Sequence, residues 1–466
     1  MKLSIREMLR ATKGNLISGY PTDICERISI DTRTLKSGDI FFALQGPRFD
    51  GHHFLAAAVE KRAGVIVLQR LDAGVQLEGA SSPDVMQVPD TLKALQDTAR
   101  AARAKATKAM VIGITGSNGK TTTKEMLASI LRRAGKTLST RGNLNNHIGL
   151  PLMLTELESD HRYAVIEMGT SQKGDMNLLV DLARPHIGLI TNVGKDHLEF
   201  LGTPEGVLEE NRRLFDALPK DGIAVINLED PLLKGFAHGL SCKTMTYGLT
   251  AAAQVQAIDI VPFPAPLRFV LVLDKEKYPV SLHVMGEVQV LNAIAAAAVS
   301  HALEISPKDI VEGLQSFQPA AMRMEVHLRK DETTLVNDAY NANPSSMRAS
   351  IESFCHSYPD RPRWLVLGDM RELGSIARDE HEELGRWITT QPVARVFLYG
   401  RNTRFVLQGL TTNGYKGVVE RYHKKRYLIE ALERSLSASP KPAVLFKASR
   451  SLQLERVNHA LLSVPS

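Results

Sequence analysis

Short apolar runs alternate with amphipathic stretches along most of the 466-residue chain. Residues 40–44, 64–68 and 85–88 read as strands around a helix near 54–62, with a Ser-Ser-Pro loop at 81–83. A helical period over 92–105 opens a second segment, and the unbroken apolar run 109–114 reads as a buried strand. Further strands are predicted at 163–168, 187–191 and 222–227, with helices at 122–133 and 205–218 between them. Such alternation makes a mainly parallel sheet. Period-two alternation at 267–273 and 278–284 adds an antiparallel hairpin, and Ala-rich 288–303 predicts a buried helix. The strand–helix rhythm restarts near 317, with strands at 333–337, 364–368, 396–399 and 443–447. The pattern predicts an α/β chain of three domains: a small α/β unit over 1–88, a central one with a mainly parallel sheet over 89–316, and a Rossmann-like one over 317–466. Ligands gather at the carboxyl ends of strands in such open sheets.

Composition narrows the class only slightly. The chain is 44% hydrophobic and 23% charged, which is ordinary for a globular protein. No apolar run approaches the roughly 20 residues that span a bilayer. Lys2, Arg6 and Glu7 stand where a signal peptide needs an apolar stretch. A cytoplasmic protein without membrane insertion is expected. Cys25, Cys242 and Cys355 lack metal-ligand spacing and are expected to be buried or partly buried free thiols. The formal net charge of +6 suits anionic small substrates. The basic run His423-Lys424-Lys425-Arg426 reads as a solvated face, and no nucleic-acid partner is expected.

The strongest local signal is Thr115-Gly116-Ser117-Asn118-Gly119-Lys120-Thr121-Thr122, between a buried strand and a helix. That context makes a phosphate loop. Glycines let the backbone wrap phosphates, and the amides at a helix start attract anions. Lys120 can reach the β- and γ-phosphates of a nucleotide, and the Thr121 hydroxyl can ligate Mg²⁺. Position 114 is Ile, so the spacing is the shorter Gly-x-x-Gly-Lys-Thr. Glu167 ends one predicted strand and His197 follows the next, a placement that suits a second Mg²⁺ site. From spacing alone they also read as an exposed glutamate and a hydrogen-bonded histidine.

With these motifs in order, nearly the whole chain resembles the Mur ligases. The first segment carries Ile28-Ser29-Ile30-Asp31-Thr32-Arg33, the run 38–44, and Gly46-Pro47-Arg48-Phe49-Asp50-Gly51-His52-His53-Phe54. These look like the family's uridine-binding domain, which implies substrate contacts at Thr32, Asp50, Gly51 and His52. Asn143-Leu144-Asn145-Asn146-His147-Ile148-Gly149 looks like its substrate-side loop, implying roles for Asn145 and Asn146. Arg323 resembles the arginine that meets ATP when the domains close. Asp338-Ala339-Tyr340-Asn341-Ala342-Asn343-Pro344, the run 367–374 and Lys447-Ala448-Ser449-Arg450-Ser451 resemble the branch that adds D-alanyl-D-alanine.

The resemblance implies a monomeric ATP- and Mg²⁺-dependent amide ligase acting through an acyl phosphate. Its substrates would be UDP-N-acetylmuramoyl-tripeptide and D-alanyl-D-alanine. It assigns Lys120, Glu167, His197 and Arg323 to catalysis, with Thr121, Glu167 and His197 at the metal. Asn292 and Asp338 join the nucleotide site, and Tyr340, Asn341 and Asn343 the substrate. Two departures stand out. Asn211 occupies the place of a lysine that is often carbamylated, and Val288-Gln289 replaces a His-Asn pair near the adenine, leaving Gln289 as a substitute amide. Alternatives are another Mur-type or a folylpolyglutamate-type ligase, or a nucleotide-binding homologue that has lost catalysis.

Overall fold

The computed structural model describes residues 3–20, 24–25, 27–47, 49–71, 83–261, 266–439 and 441–463. Arg48, the Cys25 side chain and residues 81–82 of the expected Ser-Ser-Pro loop lie outside them. The architecture is α/β, with sheets of five, nine and six strands in chain order.

The nine-stranded sheet positions the site. Its order is Glu276–Leu282, Leu267–Leu273, Val255–Val261, Lys243–Gly248, Ile223–Asn227, Ile187–Ile190, Met110–Thr115, Tyr163–Glu167 and Thr137–Ser139. The phosphate-loop strand Met110–Thr115 is therefore flanked by the strand that ends at Glu167 and the strand that leads to His197. All three run parallel, so their carboxyl ends emerge together. The expected hairpin is present and antiparallel. Lys243–Gly248 and Val255–Val261 escaped the pattern; their outer halves are partly exposed and polar, so neither is a clean apolar run.

Both sheet faces are covered. On one, Ile112 and Ile114 pack with Met126, Leu127 and the alanines of Val288–Ala302. Small side chains let that helix lie close to the sheet. On the other, Val111 and Ile166 pack with Leu150, Met176 and Leu214. The helix Thr91–Lys105 serves two cores: Ala94, Leu95 and Ala102 complete the first segment's core, and Ala99 joins the central one. Its buried Arg103 donates to the carbonyls of Ala183 at 2.8 Å and Arg184 at 3.1 Å. An expected boundary at residue 88 thus falls just before a shared helix.

The six-stranded sheet runs Glu325–Leu328, Thr334–Asn337, Ala443–Lys447, Arg363–Gly368, Arg395–Tyr399 and Val418–Tyr422. The two outermost strands went unrecognised in the sequence. Edge strands face solvent and carry charges, so their apolar signal is weak. Cys242 and Cys355 are free and buried, and burial pushes the Cys355 thiol up to about 11. Among the described residues no helix is long and apolar enough to cross a membrane.

Candidate active site

The strand Met110–Thr115 turns through Gly116–Gly119 into the helix Lys120–Ala134. Gly116 and Gly119 have φ of 126° and 81°. A Cβ on Gly116 would lie 2.3 Å from Thr191 Oγ1, and one on Gly119 2.3 Å from Asn292 Oδ1. Only glycine satisfies both constraints at each position. Asn292 supports the loop from behind: it accepts from the Thr123 hydroxyl at 3.3 Å and donates to Gln289 at 2.9 Å. Gln289 thereby orients Asn292. Lys120 Nζ folds back onto the Gly116 carbonyl, while Thr121 and Thr122 are buried in the first helical turn. A cavity of about 180 Å³ adjoins the loop, lined in part by Thr191, Asn192, Asn227, Tyr247 and Asn292.

Beside the loop, Glu167 is only 2% exposed. Its Oε1 accepts from Asn145 Nδ2 at 2.8 Å, and its buried Oε2 has no hydrogen-bond partner. A buried carboxylate oxygen left over in this way fits a cation ligand. Asn146 does something else. Its side chain accepts from the N–H groups of Ile148 and Gly149 and holds the turn that leads into the helix Gly149–Thr155.

The third segment closes onto this face. Arg323 donates to the Thr121 hydroxyl at 2.8 Å and stacks over the Tyr340 ring, 4.1 Å from its centroid. His197 has left-handed backbone, φ 52°, and its Nδ1 lies 2.6 Å from the Glu372 carboxylate. This side-chain contact is the chief influence on the Glu372 carboxyl. It holds the carboxyl below its ordinary range, against the opposing effect of burial. Asp338 is committed within its own segment. It accepts from Lys447 Nζ at 2.6 Å, the Ser350 hydroxyl at 2.6 Å and the Met324 N–H at 3.2 Å. These bonds anchor the turn that carries Arg323. The Asn341 carbonyl also receives Lys447, at 3.2 Å. Asn343 caps the helix Pro344–Ser357 and donates to Asn118 of the phosphate loop.

In the first segment, Asp50 accepts from the His52 N–H at 3.0 Å, from its ring Nδ1 at 2.6 Å and from Arg70 at 2.6 Å. Burial opposes the Asp50 charge, but these donors together hold its carboxyl well below the usual range. His52 is 1% exposed and its Nε2 accepts from the Gln69 N–H, so its ring secures the loop and not a ligand. Gly51 is required by close packing, since a Cβ would lie 2.8 Å from Ala43 backbone atoms. Thr32 remains half-exposed near the same strand ends.

Three family models match in chain order: the Mur ligase family catalytic domain over 25–103, the Mur ligase middle domain over 114–300, and the Mur ligase glutamate ligase domain over 322–450. The UDP-N-acetylmuramoyl-tripeptide–D-alanyl-D-alanine ligase of Bacillus subtilis is 34% identical, across 100% of this chain and 99% of that protein. The chain belongs to the Mur ligase family. A crystal structure of MurF from Acinetobacter baumannii matches with a TM-score of 0.89 at 31% identity, covering 100% of this chain and 99% of the other. MurF from Thermotoga maritima, solved in complex with ADP, matches at 0.79 and 27% identity, covering 93% and 96%.

For a Mur ligase, Asn211 is the notable departure. It is buried on the helix Pro204–Asp216, and its Oδ1 accepts from the Thr115 hydroxyl at 3.1 Å and, weakly, the Thr170 hydroxyl at 3.5 Å. Neighbouring carboxylates do not replace it. Glu210 caps the Gly174 and Met176 N–H groups, and Glu209 pairs with Arg213 on the surface. Activity is accordingly expected to be unchanged between degassed and bicarbonate-containing buffer. A Mg²⁺ titration in each checks this; a bicarbonate response would mean that another lysine is carbamylated.

This Mur ligase also carries a basic cavity of about 510 Å³ at the strand ends of its third segment. Arg371, Arg401, Arg404, Arg421, His423 and Lys425 line it. Its one carboxylate, Asp369, is buried and accepts from the N–H groups of Arg401, Asn402 and Thr403. The cations therefore outnumber the available negative charge. His423 and Lys425 belong to the run expected to be a merely solvated face; part of it rims this cavity instead. The missed signal was positional, since Arg401, Arg404 and Lys425 each lie within five residues after a strand.

Proposed function

We propose that this chain uses ATP to join D-alanyl-D-alanine to UDP-N-acetylmuramoyl-tripeptide, a step in making peptidoglycan precursors. The observation that carries the reading is Arg323 of the third segment bonded to Thr121 of the phosphate loop, in a chain similar over its full length to such ligases. One composite site then spans the nucleotide-binding and acceptor-binding segments.

A carboxylate does not condense with an amine in water, because its oxygen is a poor leaving group. Transfer of the γ-phosphoryl group to that oxygen forms an acyl phosphate and releases ADP. The dipeptide nitrogen then attacks the carbonyl carbon, phosphate leaves, and the nitrogen gives up a proton. Both steps depend on positioning and charge more than on a side-chain nucleophile. Lys120 meets the transferring phosphoryl, and Arg323 stands beside it once the segments close. Packing of the third segment on the loop excludes water that would hydrolyse the intermediate. Thr121, Glu167 and His197 would hold Mg²⁺, which neutralises phosphate charge when bound. The small cavity beside Asn292 suits the adenine ring.

The first segment takes the uridine end of the substrate, near Thr32 and the loop that Asp50 and His52 hold. The basic cavity takes the dipeptide's terminal carboxylate, through Arg401 and Arg404. ATP and UDP-linked precursors are cytoplasmic metabolites, which supports that location, and the site needs no second copy of the chain.

The test is an acceptor screen read by product mass and phosphate release, with tripeptides ending in lysine or diaminopimelate. D-alanyl-D-alanine should be the productive acceptor, and its C-terminal amide a poor one. Arg401→Ala and Arg404→Ala should each raise the dipeptide KM about tenfold with the ATP KM unchanged, the loss of one charge-assisted contact. Turnover with a single amino acid but not the dipeptide would redirect the assignment to another branch.

A further inference from the structure

Asn118 lies at the crown of the phosphate loop, yet its side chain meets the third segment. Its backbone is fixed first. The N–H donates to Asn192 Oδ1 at 3.0 Å, and the carbonyl accepts from the Thr191 hydroxyl at 2.6 Å and the Asn192 amide at 3.0 Å. The side-chain amide is then held toward the start of the helix Pro344–Ser357. Its Oδ1 accepts from Asn343 Nδ2 at 3.0 Å, and its Nδ2 donates to Ser345 Oγ at 2.9 Å. The Ser345 hydroxyl donates in turn to Asn343 Oδ1 at 3.0 Å, closing a ring of three side chains.

Ser117 is committed in a parallel way. Its hydroxyl donates to Asp196 at 2.5 Å and accepts from the Gly194 N–H at 2.7 Å. The same loop sends Lys195 to Glu380 at 2.6 Å and His197 to Glu372. A Cβ on Gly194 would lie 3.2 Å from Ser345 Oγ, so the two surfaces are in contact there. Both loop side chains thus bind protein, as do the backbone N–H groups of Ser117 and Asn118.

We infer that Asn118, with Asn343 and Ser345, is a positioning device that couples the phosphate loop to closure of the third segment. Its amide offers an oxygen and an NH2 group, and each meets a complementary group across the boundary. When the loop is shaped around phosphates, the ring sets where the third segment seats, and with it Arg323. When the ring is broken, ATP still binds the central segment, but the closed arrangement is populated less. This rests on the ATP-ligase reading above.

The experiment uses the full chain and measures equilibrium ATP affinity, kcat, KM for the dipeptide and melting temperature. Asn343 is a poor probe because it also caps its helix; Ser345 is exposed and can be changed safely. Ser345→Ala should lower kcat about tenfold with ATP affinity within about twofold, the mark of an interaction made on the way to the transition state. Ser345→Thr, which keeps the hydroxyl, should restore most of that loss. Asn118→Ala should lower kcat further, and the double variant should be no worse than Asn118→Ala alone, because both remove one contact. Multiplying effects, or ATP affinity falling as far as kcat, would overturn the inference. If Asn118→Ala lowers the melting temperature, the Ser345 pair decides alone. No phosphate release by the unmodified chain with any acceptor would instead sink the ligase reading, so the two failures are distinct.

Discussion

Lys120→Ala is expected to lower turnover about a thousandfold, or about 4 kcal/mol of transition-state stabilisation, with the fold intact. In phosphoryl transfer, charge spreads over the equatorial oxygens of the moving group. A fixed cation within reach of them counts far more there than in water. Lys120 opens its helix and its Nζ rests on carbonyls of its own loop. Nothing in either core leans on that side chain, so its removal costs little stability. Lys120→Arg should not rescue, because a planar fork cannot replace a compact ammonium in a loop shaped this tightly. The measurement is acceptor-dependent phosphate release beside a thermal melt. Near-normal turnover in the alanine variant would remove the phosphate-loop assignment.

Glu167→Gln comes next in size, with kcat down about a hundredfold at fixed Mg²⁺ and the Mg²⁺ requirement raised. Glutamine has the same shape, but it offers a cation one neutral oxygen in place of an anion. Asn145 can still donate to that oxygen, so the loop 143–149 keeps its anchor. The stability effect should run the other way. A buried carboxylate with one unpartnered oxygen is costly, and neutralising it should stabilise the metal-free protein by about 1 kcal/mol. Higher melting temperature with lower activity is the combined signature. An unchanged Mg²⁺ dependence would exclude Glu167 from the metal site.

Where a feature depends on neighbours in the chain, the sequence was a good guide. The apolar run before Gly116, the two glycines and the Lys-Thr-Thr helix start are all local, and together they compel the strand–turn–helix that a phosphate loop needs. The predicted hairpin and the Ala-rich helix are read from periodicity in the same way. Motif strings proved harder to divide into ligand groups and supports. Asp50, His52, Asn146 and Asp338 all lie in strings that resemble binding motifs, and each spends its side chain on a cap, a loop or a buried ion pair. A polar residue in a motif looks the same either way, because pattern does not reveal where its hydrogen bonds go.

By itself the sequence determined the α/β class, the glycine turn between strand and helix at 115–122, and the family, all carried by short-range pattern or by ordered strings. Only the tertiary structure decided that Arg323 meets Thr121 across 202 residues, and that Asn118 meets Asn343 across 225. It alone gathered cations from three strand ends into one cavity, and seated Asn211 under the Thr115 hydroxyl. The reason is physical: a buried polar atom bonds to whichever partner folding brings within about 3 Å, and the packing of distant segments chooses that partner.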